Sequence, residues 1–332
     1  MKFHLQFPEL LQAFFTDRLI NQRQASSHTI ASYRDSFRLL LQFAQQQIGR
    51  PPTKLTIEDL EPGFLGSFLR HLEKDRGICA RSRNVRLAAI HSFFRYVALN
   101  EPAYCALAQR VLAIPSKRFD RRPIEYLTRP EVEALLAAPD RATWGGRRDY
   151  TLLLTAAQTG LRVSELIGLR CEDVALGTGG SVRCRGKGRK ERSTPLRKDL
   201  LIALRAWLRE RAAGPSDSLF PNARGGPLSR DGVEYLLAKH ITRARKQCLS
   251  LTKKRISMHS LRHAVAMDLL QHGVDRSVIA LWLGHESVET TQVYLHADMS
   301  MKEDALAKAT PTKARCGRYR PHDHLLAFLK SL

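Results

Sequence analysis

From Pro8 to about Leu112, apolar residues recur at intervals of three and four, the spacing that gathers them on one side of an α-helix. The stretch "SSHTIASYRDSFRLLLQFAQQQ" opens on serine and threonine of the helix-capping kind and carries Ile30, Tyr33, Phe37, Leu40, Leu41 and Phe43 on one broad stripe. "TIEDLEPGFLGSFLRHLEK" and "ARSRNVRLAAIHSFFRYVAL" predict two further helices, the second turning Leu87, Ile90, Phe94 and Val97 inward. Residues 1–112 therefore read as a small all-α domain. The pattern stops at "LAIPSKRFDRRPIEY", which has two prolines, a concentration of Lys and Arg and no apolar stripe, so residues 113–126 read as a basic linker.

A second periodic region starts at "LTRPEVEALLAA", where Thr128 is placed to cap, Pro130 falls in the first turn, and Glu131 and Glu133 face the positive end of the helix. Its helices continue through "AAQTGLRVSELIGLRCED", one ending near Gly160 and another beginning at Val163. They resume at "LRKDLLIALRAWLRERA", "SRDGVEYLLAKHITRARKQ", "MHSLRHAVAMDLLQHG" and "VDRSVIALWLGH". One segment breaks the period. In "SVRCRGKGRKERSTPL", Val182, Cys184 and Gly186 alternate with basic residues, "GKGRK" supplies turn glycines, and "ERSTPL" runs out again toward a proline, the signature of a β-hairpin. The expected fold is thus mainly α: an all-α N-terminal domain, then a mainly α domain over residues 127–309 with a small antiparallel sheet. Residues 310–332 remain as a basic C-terminal tail.

Charge narrows the class of partner. Lys and Arg outnumber Asp and Glu by 54 to 32 in 332 residues, a net charge of +22, while 43% of the chain is hydrophobic. That composition belongs to a folded protein with a polyanionic partner rather than to a disordered basic tail. The six cysteines (Cys79, Cys105, Cys171, Cys184, Cys248 and Cys316) form no C-x-x-C pair, which argues against a zinc knuckle or a disulfide framework and for a reducing cytoplasm. The start "MKFHLQFPELLQAFF" lacks the continuous apolar core of a signal peptide, and no run approaches a membrane span. A soluble cytoplasmic protein is expected.

The basic residues cluster where chemistry can use them. His259, Arg262 and His263 stand at i, i+3 and i+4 at the head of an apolar helix and so point from one helix start toward one spot. Arg162 sits at a glycine-marked junction between two apolar helices, where it either serves a ligand or pairs with Glu165 or a helix C-terminal carbonyl. Lys187 lies at the hairpin tip with Arg185, Arg189 and Lys190 around it, and Arg81, Arg83 and Arg86 lead into a buried stripe in a manner suited to phosphate contacts. A two-metal nuclease needs several carboxylates, and the region 258–296 offers only Asp268, Asp275, Glu286 and Glu289 at unhelpful spacings. His259 and His263 have the i, i+4 geometry of a zinc pair, but the arginine between them would repel the cation; no metal is assigned.

Four segments in one order, "TGLRVSELIGLR", "GKGRKERSTPL", "HSLRHAVAMDLLQHGVD" and "WLGHESVETTQVYLH", resemble the motifs of the tyrosine recombinases, the phage-integrase and Xer-type family. The resemblance spans about Leu127 to Asp298, and "HTIASY" and "RNVRLAAIHSFFRYV" are similar to that family's SAM-like core-binding domain. It implies that Arg162 and Arg262 clamp a scissile phosphate, that His259 and His285 donate hydrogen bonds or handle protons beside it, and that Lys187 is the acid for the departing 5′-oxygen. Tyr294 would be the nucleophile, with Glu165 and His263 in support, while His296 and Tyr150 carry no role beyond packing. It further implies duplex DNA as partner, a homo-oligomer that is tetrameric in the synapse and action at the nucleoid without a cofactor; the C-terminal tail reads either as a segment that docks on a neighbouring protomer or as a frayed basic end. A type IB topoisomerase shares the clamp and the nucleophile, and a non-catalytic DNA-binding protein shares the charge; the core-binding-like domain and the tight "LGHESVETTQVYLH" spacing favour the recombinase.

Overall fold

The computed structural model describes residues 6–120, 125–186 and 191–284. The chain divides into two compact units, residues 1–121 and 122–332.

In the first unit, α1 (Phe7–Ala13) runs directly into a wide π-helical segment, Phe14–Gln22, followed by α2 (Ser27–Ile48), α3 (Pro62–Lys74), α4 (Ala80–Asn100) and α5 (Cys105–Leu112). The local chemistry explains the boundaries. Ser26 accepts the Thr29 backbone N–H at 3.2 Å and so satisfies a first-turn donor of α2, and Gly49 ends that helix in the left-handed conformation, at φ 72°. Pro62 divides the single helix expected over "TIEDLEPGFLGSFLRHLEK": lacking an N–H, it fits the first turn of α3 but not a helix interior, and only the short 3₁₀ turn Glu58–Leu60 precedes it. Aromatic rings fill the core, with Phe93 edge-on to both Phe14 and Phe37 at centroid separations of 5.5 and 5.4 Å.

The arginine row of this unit departs from the expected phosphate-facing array. Arg81 is exposed, but Arg83 is buried and donates to the Pro115 carbonyl at 2.9 Å, while Arg86 is half-buried and donates to Ser36 Oγ at 3.1 Å. Arg83 therefore makes a tethering contact inside the unit, where the sequence suggested a phosphate contact. What it tethers lies in the stretch read as a linker. Asn84 exchanges hydrogen bonds with the backbone of Lys117, and the Lys117 ammonium pairs with Glu73 at 2.8 Å, so the first part of that stretch is fastened to α3 and α4.

The second unit contains α6 (Arg129–Ala137), α7 (Trp144–Thr159), α8 (Val163–Ile167), α9 (Lys198–Arg211), α10 (Arg230–Ala244), α11 (Met258–Gln271) and α12 (Arg276–Leu283). Thr128 caps α6, and Glu131 reaches back to the Thr128 backbone N–H at 2.8 Å, as the sequence predicts. The strands are β1 (Val174–Ala175), β2 (Ser181–Arg185) and β3 (Glu191–Pro195), joined antiparallel in the order β1-β2-β3. The two-residue β1 is too short to register as an alternating pattern. In the hairpin, Val182 pairs with Thr194 and Arg185 with Glu191; Val182, Cys184 and Thr194 are buried while Arg183 and Arg185 are exposed. Burial pushes the Cys184 thiol up to about 11, so it is a protonated core residue.

Helix α7 is the spine of this unit, packing against both α9 and α11. It also carries a buried charged group: Asp149 accepts from Arg148 at 2.8 Å and lies 2.8 Å from His240 Nε2 on α10, while Arg148 also donates to the Pro221 carbonyl. Among the described residues, no helix is long and apolar enough to cross a membrane.

Candidate active site

The site forms where α7 ends, α8 and α11 begin, and α12 ends. Gly160 closes α7 at φ 63°, and a Cβ there would come within 2.6 Å of Leu283 Cδ2, so glycine is demanded both by conformation and by close approach. Arg162 follows in extended conformation as the N-cap of α8. Its backbone N–H donates to Glu165 Oε2 at 2.8 Å and its Nη1 to Glu165 Oε1 at 2.8 Å, while its Nη2 reaches the Gly284 carbonyl at 2.9 Å. Both partners named as alternatives for a structural arginine are therefore taken, yet about a third of the side chain, 32%, stays exposed.

Arg262 arrives from the first turns of α11 and is buried. It donates to the Gly160 carbonyl and to the Leu283 carbonyl, each at 2.7 Å. A third guanidinium joins them that sequence reasoning did not single out. Arg192, on β3, donates through Nε to the Trp282 carbonyl at 3.2 Å and through Nη1 and Nη2 to the two Glu165 oxygens at 3.1 and 2.8 Å. Three successive carbonyls, of Trp282, Leu283 and Gly284, thus each accept from a different arginine. These are groups left without helical partners at the C-terminus of α12, where the macrodipole is negative and favours cations.

Electrostatics follow from this packing. Burial works to raise the Glu165 pKa, but the hydrogen bonds and charges of Arg192 and Arg162 outweigh it and hold the carboxyl below the usual carboxylate range. One carboxylate and a helix end do not neutralise three guanidiniums, so the described part of the site favours an anion. His259, in the first turn of α11, has its pKa lowered by partial desolvation and then by the nearby charges of Arg262 and Arg162, although the residue is exposed. Its ring stands edge-on to that of His263, with centroids 4.4 Å apart, and His263 is half-buried. Among the described residues, no three His, Cys, Asp or Glu side chains are grouped to hold a metal ion.

The structure therefore brings together Arg162, Arg262, His259 and His263, with Glu165 bridging Arg162 to Arg192. Arg185 is exposed at the end of β2, and Tyr150 lies under the Arg141 guanidinium at 3.5 Å. Lys187, Arg189, Lys190, His285, Tyr294, His296 and the tail 310–332 lie outside the described residues.

The phage integrase family matches residues 125–301, and the N-terminal SAM-like domain of phage integrases matches residues 13–100. The chain belongs to this family, the tyrosine recombinases. It is 57% identical over 329 residues, 99% of both chains, to a Sinorhizobium fredii protein that bears the name "Putative integrase/recombinase y4rC". It is 34% identical over 302 residues, 91% of this chain and 95% of the relative, to the tyrosine recombinase XerC of Pelobacter propionicus. In fold it is similar to the XerH site-specific recombinase, solved bound to its palindromic difH substrate, with a TM-score of 0.70 and 22% identity over 86% of this chain and 81% of that one.

Proposed function

We propose that this tyrosine recombinase cleaves and rejoins duplex DNA at specific sites through a covalent 3′-phosphotyrosine intermediate on Tyr294, with neither metal nor ATP. The observation that carries this reading is the convergence of Arg162 and Arg262 on adjacent carbonyls with His259 beside them, a cationic cluster fixed by backbone rather than by mobile surface chains. Paired guanidiniums match the non-bridging oxygens of a phosphodiester and offset the charge that builds as the phosphorane forms. A phenol of ordinary pKa, about 10, is a weak nucleophile at neutral pH, and such cations favour its ionised form. Above its lowered pKa, His259 is neutral and presents one ring N–H donor.

In the step proposed, the Tyr294 oxygen gives up its proton to solvent water and bonds to phosphorus, the P–O5′ bond breaks, and Lys187 protonates the departing 5′-oxygen. The ester conserves the backbone bond, so a second 5′-hydroxyl reseals it by the reverse reaction without an energy source. The family relationship supports a helical clamp domain before the linker and a catalytic domain after it. XerH, solved on its difH substrate, supports DNA as the partner. Strand exchange calls for a homo-oligomer on DNA, assigned here as a tetrameric synapse in the cytoplasm at the nucleoid.

A duplex carrying a nick near the scissile phosphate traps the covalent complex and tests the assignment. Arg162→Ala and Arg262→Ala are each expected to slow adduct formation by about 10²- to 10³-fold, the usual loss for one preorganised oxyanion donor. Lys187→Ala is expected to cost about 10²- to 10⁴-fold and to be rescued by a 5′-thio leaving group, which needs no proton. Binding without any adduct would make the protein a non-catalytic DNA binder. Relaxation of supercoiled plasmid without strand exchange would make it topoisomerase-like.

A further inference from the structure

We infer that Arg192 is a positioning residue that holds the arginine clamp in register with the β2-β3 hairpin, an inference that rests on the strand-cleavage reading above. Each of its three side-chain nitrogens is engaged, Nε by the Trp282 carbonyl and the two Nη by the Glu165 carboxylate. Only 13% of its side chain is exposed, against 32% for Arg162. Arg192 thus holds its neighbours through all three nitrogens, whereas Arg162 keeps an open face.

Two further contacts define what Arg192 positions. A Cβ on Gly284 would fall 2.6 Å from Arg192 Nη1 and 2.9 Å from its Cζ, so the guanidinium packs in the space a side chain at Gly284 would need, at the end of α12. Gly284 adopts φ 64°, and its carbonyl is the one that Arg162 grips. Arg192 also stands in β3 directly opposite Cys184 of β2, in the two strands that flank Lys187 in the sequence. One planar side chain therefore connects the base of the hairpin, the carboxylate that orients Arg162, and the segment that leads into His285. Burial alone would lower the pKa of Arg192, but the bonds and charge of Glu165 raise it, so the guanidinium stays charged.

Single-turnover adduct formation on the nicked duplex tests this, measured beside the DNA dissociation constant and the far-UV circular dichroism of each variant. Arg192→Ala is expected to slow the covalent step by about 10²-fold, the cost of displacing aligned groups by roughly 1 Å, with the dissociation constant changed by less than about threefold since no phosphate contact is lost. Arg192→Lys keeps the charge but has a single nitrogen, and about a tenfold loss is expected; it decides the matter should the alanine variant not fold. Glu165→Gln and the double variant Arg192→Ala/Glu165→Gln complete a cycle, in which the double variant is expected to be no slower than the slower single one because both act through one network. Wild-type cleavage rates in Arg192→Ala or Arg192→Lys would overturn the inference. So would a loss seated wholly in the dissociation constant, or losses that multiply in the double variant. If the wild-type protein itself forms no adduct, the strand-cleavage reading has failed instead, and the two failures are distinguishable.

Discussion

Gly160→Ala perturbs the point where α7, Arg162 and Arg262 meet, and its cost is worked from two contributions. Holding an alanine in the left-handed conformation costs about 1–2 kcal/mol. Its Cβ must also displace Leu283 Cδ2, 2.6 Å away, and overpacking of this kind costs about 1–3 kcal/mol. The sum is about 2–5 kcal/mol. Gly273→Ala is the matched control within the same unit, because Gly273 has φ 77° and nothing within 4 Å of a built Cβ, so it bears the conformational cost alone. The entropy that an alanine removes from the unfolded chain is common to both variants and cancels. The difference, about 1–3 kcal/mol, moves a urea midpoint by about 0.5–1.5 M at an m-value of about 2 kcal/mol per M. All three tryptophans, Trp144, Trp207 and Trp282, lie in the second unit, so their fluorescence reports its unfolding. Equal midpoints for the two variants would refute the claim that the α7 terminus is packed against a fixed Leu283.

Asp149→Ala leaves Arg148 and His240 facing a missing partner, and loss of about 3–5 kcal/mol is expected from urea unfolding; a loss under about 1 kcal/mol would show the pair to be relaxed by solvent. Burial works to raise the Asp149 pKa, but His240 and Arg148 depress it below its unfolded value; its contribution is fully present above that unfolded value and is lost as pH falls through the folded one. For His259 the folded pKa is also depressed, so the unfolded chain takes up the proton first. Stability from this group is complete above about pH 6.5 and declines as pH falls toward the folded pKa. An NMR titration of the His259 ring is expected to show a midpoint below about 6.5, moving upward when duplex DNA brings a phosphate beside it. A midpoint at or above that value without DNA would contradict the placement of Arg162 and Arg262 around the ring.

The helices were legible because their signals are local. Ser26, Thr128 with Glu131, and Gly160 mark boundaries through groups within a few residues of one another, and the alternation of Val182 and Cys184 marks a strand in the same way. The exchange from an α-helix to a π-helix at Phe14 gives no such signal: its buried residues, Phe14 and Leu19, are five apart, outside the three-and-four spacing that marks an α-helix. Side-chain destinations were legible only where a motif carried them. Arg83 reads as a phosphate contact in the sequence, yet it is bound to a carbonyl 32 residues away, and no local pattern distinguishes a tethering arginine from a solvated one. Arg192 was hidden for the same reason: Glu165 is 27 residues from it and the Trp282 carbonyl 90, and its neighbours in "KERSTPL" display only a strand.

Peptide mapping of the adduct trapped on a nicked duplex decides whether Tyr294 forms the covalent bond to DNA. A single modified peptide containing Tyr294, linked through a 3′-phosphate, is expected. Tyr294→Phe is expected to form no adduct while DNA binding persists, because Arg162, Arg262 and His259 are unchanged. An adduct on any other residue, or one still formed by the phenylalanine variant, would rule out Tyr294 as the nucleophile.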